Sequence, residues 1–72
     1  MYYQLKEYYL NQKKPAHLVT TVKAESAVDA VRSVTFWRHA RDFVVSRNTH
    51  GVVTSAHTQD GDGKNGCKAT LI

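Results

Sequence analysis

Only one stretch of this chain repeats its apolar residues at helical spacing, and it is short. Ala27, Ala30, Val31 and Val34 fall at i, i+3, i+4 and i+7, which makes one narrow stripe. Its small residues let a helix lie close to a sheet. Ser26 precedes the stripe and Asp29 follows three residues later, a Ser-x-x-Asp start that satisfies an orphan amide and favours the helix N-terminus. The other patterned stretches alternate with a period of two, that of strands, and Arg38–Arg41 has no clear period. A single small helix cannot hide several strands by wrapping them. It must lie across one face of a sheet and leave the other open.

The strands read as follows. Tyr2–Leu10 places Tyr3, Leu5, Glu7 and Tyr9 on one face, and Tyr2, Gln4, Lys6, Tyr8 and Leu10 on the other. Neither face is purely apolar, and one tyrosine pair has to lie away from the helix. Asn11 to Pro15 is a polar, basic turn, because Pro15 fixes its φ and has no amide donor. His17–Ala24 alternates Leu18, Thr20 and Val22 with His17, Val19, Thr21 and Lys23, so it pairs with the first strand as a hairpin. Beyond the helix, Thr35-Phe36-Trp37 either ends it or opens an extended segment. Residues 42–47 and 52–58 are strands about a turn at Asn48–Gly51. Residues 59–66 form a loop, and 67–72 a short last strand, or a tail if unpaired, with Cys67 exposed at its start. The predicted fold class is α+β: one domain, β-β-α-β-β-β, a curved antiparallel sheet with one helix packed on one face.

With 72 residues, such a domain has a marginal core and no room for a deep pocket. A lone cysteine cannot close an internal disulfide, which points to the cytosol as the compartment. No signal-peptide pattern is present, and no apolar run approaches the roughly 18–20 residues needed to cross a bilayer. No membrane partner is expected.

No catalytic or metal motif emerges. In the Asp60–Gly66 loop, placing Gly63 at the glycine position of a calcium loop puts Ala69 where the bidentate glutamate belongs. Starting at Asp60 puts Lys64 on a ligand position. His17, His39, His50 and His57 share no metal-ligand spacing. No nucleophile elbow surrounds Ser46 or Ser55. The chain is expected to need no cofactor and to be no enzyme.

Charge is the informative feature. The net charge of +4 favours an acidic partner. Most of the excess lies between Arg32 and Arg47, where Arg32, Arg38, Arg41 and Arg47 are offset only by Asp42, with Trp37 and His39 interleaved. Arginines with aromatics are enriched at protein hot spots and at nucleic-acid surfaces. Tyr2 and Tyr8 add contact area at low entropic cost. The candidate partner-binding residues are therefore Lys6, Arg32, Trp37, Arg38, Arg41, Arg47, Tyr2 and Tyr8. Phe36 and Trp37 serve equally as core.

The first half also resembles small phage anti-CRISPR proteins, in particular a compact type I-F inhibitor. The resemblance rests on Tyr3-Gln4-Leu5-Lys6-Glu7 in the opening strand and on Ala24-Glu25-Ser26 leading into a helix with Ala30 and Arg32. It covers residues 3–34. The second half matches in arrangement only, since Trp37 and the arginines replace that family's residues. The resemblance implies a non-enzymatic inhibitor in the host cytosol that docks on a CRISPR surveillance complex and blocks nucleic-acid access. Lys6 and Arg32 are the contacts it carries over. Mimicry of DNA does not fit, because that needs rows of carboxylates. Direct binding of nucleic acid is the alternative, and a small assembly subunit, monomer or homodimer, is the third.

Overall fold

The computed structural model describes residues 1–72. Five strands, β1 (Tyr2–Tyr9), β2 (Ala16–Lys23), β3 (Val44–Arg47), β4 (Val53–Gln59) and β5 (Asn65–Leu71), form one antiparallel sheet in the order β2-β1-β5-β4-β3. The helix α1 (Ala27–Arg32) comes between β2 and β3. The element order is the expected one. No helix is long and apolar enough to cross a membrane.

The strand order dictates the helix position. β2 and β3 are the two edges, so the chain joining them must traverse the whole sheet. That traverse carries α1, which lies chiefly over β4 and β5 and also touches β1. The helix starts where Ser26 accepts a hydrogen bond from the Asp29 amide at 3.0 Å. It ends after Arg32, and Ser33 returns its hydroxyl to the Ala30 carbonyl at 2.6 Å. Val34 is extended, and Thr35–Trp37 form a separate turn of 3-10 helix. Six residues are too few to hold a helix in water, so packing maintains this one.

That packing uses the predicted stripe. Ala27, Ala30 and Val31 are buried, and they meet Tyr3 and Leu5 of β1, Ala56 of β4, and Cys67 and Ala69 of β5 in one core. Alanines on both sides bring the layers close. Val34 and Phe43 pack at its margin.

One expectation is corrected here, and one open choice is resolved. Cys67 is not an exposed strand start. β5 begins two residues earlier, at Asn65, and turns Cys67 inward opposite Glu7. Trp37, read both as a contact and as core, is only 6% exposed and takes its place in the core. Its indole N–H donates to the Tyr9 hydroxyl at 3.1 Å, and that hydroxyl donates to the buried Glu7 carboxylate. Phe36 meets both rings edge-on. This chain supplies a partner for a carboxylate that would be costly to bury alone. It also pins the crossover to the sheet. Burial, and then donation to Glu7, push the Tyr9 phenol far above its ordinary pKa.

Candidate functional site

The other face of the sheet carries no helix. Strand register lays its side chains out in rows. One row runs Val44, His57, Lys68, Lys6, Val19 across β3, β4, β5, β1 and β2. The next runs Ser46, Ser55, Thr70, Gln4, Thr21. On the other side lie Gln59, Gly66, Tyr8 and His17, and at the far end Tyr2 faces Lys23. No carboxylate occurs in these rows. Glu7 is on the helix side, and Glu25, Asp29, Asp42, Asp60 and Asp62 all lie outside the strands that form them.

Lys6 and Lys68 are direct cross-strand partners, and His57 is the next residue across. Like charges directly opposite each other destabilise a sheet. Here no strand carboxylate on the same face offsets them. Lys6, Tyr8 and Lys68 bound one wall of a shallow groove of about 420 Å³, and Val44, Ser46, Ser55 and His57 the other.

Tyr8 lies along this groove because of what stands opposite it. Its partner is Gly66, and a Cβ built there would come within 2.4 Å of the Tyr8 ring. With no side chain at Gly66, the ring settles onto the strand. Its hydroxyl reaches Gln59 Oε1 at 3.3 Å and His57 Nε2 at 3.4 Å. The outer surface of a ring held this way is a flat platform. Tyr2 stands exposed at the other end of β1.

The remaining predicted residues do not join them. Arg32 sits at the end of α1, where its Nε donates to the Ala40 carbonyl at 3.0 Å and its guanidinium covers the Phe43 ring at 5.6 Å. Arg38 is occupied with its neighbour His39. Arg47 donates to the Gly51 carbonyl at 3.0 Å and closes the β3–β4 turn, where Gly51 takes a φ of 78°. Arg41 alone approaches the open face, at an adjoining hollow it shares with Asp42, Val44, His57 and Gln59. The arginine cluster of the sequence is thus spread over the helix end, the crossover and a turn.

Lys68, His57, Gln59 and Gly66 are the site residues that sequence reasoning passed over. The signal for Lys68 was its period-two phase with Cys67. What hid it was the partner strand, since only register sets Lys68 beside Lys6.

Two other features are chemically quiet. In the Asp60–Lys64 loop the carboxylates are taken up by amides: Asp60 accepts from the Asn65 backbone at 3.2 Å and its side chain at 2.7 Å, and Asp62 accepts from Lys64 at 3.0 Å. No group of three or more His, Cys, Asp or Glu side chains is placed to hold a metal ion. Burial, and then the nearby Glu7 charge, push the Cys67 thiol up to about 12, so it is no nucleophile at neutral pH. Lys68, its chain neighbour, points to the other face and does not lower it.

Comparison with family models, with curated proteins and with solved structures finds no match for this chain.

Proposed function

We propose that this protein is a non-enzymatic binding module whose open sheet face takes up single-stranded nucleic acid. The observation that carries this reading is the set of strand rows, free of carboxylates, in which Lys6 stands opposite Lys68 beside the Tyr8 platform, with Asp42 only at the adjoining hollow. Paired lysines are costly in a sheet with nothing anionic to meet, and backbone phosphates supply that charge. An aromatic ring laid flat stacks on an unpaired base, which a duplex does not offer. Gln4, Gln59, Ser46, Ser55 and Thr70 add neutral donors and acceptors around the cations. The groove is open and shallow, so a strand can run across it.

The test is fluorescence anisotropy of a labelled single-stranded oligonucleotide over a salt series. Binding should weaken with salt with a log–log slope of about −0.7 per phosphate contacted. The Lys6→Gln/Lys68→Gln double variant should reduce that slope by about 1.4, two contacts' worth, and weaken binding at low salt. No binding at ~50 mM salt, or an unchanged slope in the double variant, would remove this reading.

A second reading follows from one further observation. Lys6, carried over from the resemblance to phage inhibitors of CRISPR complexes, lies at the middle of this same face. In that reading the face docks on acidic or polar patches of a host surveillance complex and blocks nucleic-acid access from there. Capture of such a complex without affinity for free oligonucleotide, abolished by the same double variant, would favour it.

A further inference from the structure

The two edges of this sheet are built differently. β3 has four residues and a register shift between Ser46 and Arg47, a short and irregular edge that resists pairing. β2 has eight residues and no such break in its pairing with β1. From Ala16 to Val22 it holds no Lys, Arg, Asp, Glu or Pro to block another strand. Leu18 and Val19 stand 47% and 61% exposed in its middle.

The backbone of β2 fixes which groups remain unpaired. The Ala24 amide donates to the Met1 carbonyl at 2.9 Å. Alternate residues of a strand point their amides the same way, so Val22, Thr20 and Leu18 also bond toward β1. His17, Val19, Thr21 and Lys23 then turn their N–H and C=O groups outward with no strand to receive them. Such a row is a template for a further strand.

We propose that the occupant is a second copy of this chain, added β2 to β2 in antiparallel register about Thr20. In that register Leu18 meets Val22 of the copy, Val19 meets Thr21, and Thr20 meets itself at the two-fold axis. Leu18 and Val22 are apolar against apolar, Thr20 hydroxyls meet at the axis, and Val19 and Thr21 pair as β-branched residues. Only His17 opposite Lys23 at the two ends adds no attraction, so the strand can serve as both sides of an isologous interface. The four outward-pointing residues become hydrogen-bonded pairs, His17 with Lys23 and Val19 with Thr21. Thr20 becomes a non-hydrogen-bonded pair, with its Cα atoms close. The axis stands perpendicular to the sheet, so both helices lie on one side. Both open faces lie on the other, and two five-stranded sheets become one continuous surface. Each copy then contributes Lys6, Lys23 and Lys68 to a single face.

Sedimentation from micromolar to millimolar concentration tests this directly, with no nucleic acid present. The unmodified chain should pass from monomer to dimer. Thr20→Lys should weaken dimerisation on the order of 100-fold, since two like charges meet at the axis. Its circular dichroism should be unchanged. Thr20→Cys gives an independent reading that does not depend on the lysine variant folding: under mild oxidation it should form a disulfide-linked dimer, because the paired Cα separation suits that bond. Buried Cys67 does not compete. Ser46→Cys, on the opposite edge, should not cross-link. A monomer at every concentration overturns the proposal, as does cross-linking of Ser46→Cys as readily as Thr20→Cys. A dimer that binds no oligonucleotide keeps this inference and removes only the proposed ligand.

Discussion

The two faces of this sheet are made from alternate residues of the same strands, yet they obey different rules. In β1, Tyr3, Leu5, Glu7 and Tyr9 are buried, while Tyr2 and Lys6 between them are exposed and Tyr8 is half-buried. The helix side is closed by small residues, and its polar groups are satisfied: no buried side-chain nitrogen or oxygen lacks a hydrogen-bond partner. The open side keeps cations in register with no opposing carboxylate. One face is selected for packing. The other tolerates a placement that packing alone does not favour, and the proposed ligand site rests on that difference.

The sharpest way to test that division is to damage each face and read stability. Leu5→Ala empties a site that is 1% exposed, and it should cost about 2–5 kcal/mol. In a domain this small that is a large share of the total. The Lys6→Gln/Lys68→Gln variant, on the face opposite Leu5, should be at least as stable as the parent, with a gain of up to about 1 kcal/mol, because it removes two like charges set directly opposite each other. Denaturant midpoints for the two variants make the comparison, and equal losses would erase the distinction between the faces.

Alkaline pH acts on the closed face through Cys67 and Tyr9. The Cys67 thiol is raised from its ordinary 9.0 to about 12. The unfolded chain therefore ionises it first, and its contribution to stability is complete below pH 9 and is lost as pH rises from 9 toward 12. The raised Tyr9 phenol acts with the same sign. Urea midpoints should fall as pH rises from about 9 to 11, and Cys67→Ala should lose less over that range. An equally steep fall in the variant would show that the thiol is not the group responsible.

A further modest effect belongs to the open face. Gly66→Ala brings a methyl group within 2.4 Å of the Tyr8 ring. The ring end is free to swing outward, so stability should change by only about 1 kcal/mol. The platform is lost, however, and oligonucleotide affinity should drop while the salt slope stays the same. A changed slope would mean that the substitution disturbed the lysines rather than the stacking surface.

Much of the architecture was legible in the residues. The stripe from Ala27 to Val34, the Ser26 cap and the period-two runs give the element order. The two faces of β1 follow from alternation alone. The start of β5 was not legible, because Asn65 and Gly66 are loop-type residues locally. They become strand only through pairing with Tyr9 and Tyr8. Trp37 was ambiguous for a similar reason. Beside arginines it reads as an interface residue, and only its hydrogen bond to Tyr9 settles it in the core. The arginines between Arg32 and Arg47 are neighbours in sequence, but the crossover carries them over one face and round an edge. Charge density along the chain therefore did not become charge density in space.

The sequence by itself determined that one short helix must cover one face of a two-faced sheet and leave the other open. Periodicity and capping are local, and they act through residues a few positions apart. Tertiary structure decided which cations stand together, because β5 reaches β1 only after the crossover and β4 have been laid down. Lys6 and Lys68 are 62 positions apart in the chain and adjacent in the sheet. Hydrogen-bond register between distant strands made that pair, and no local propensity contains it.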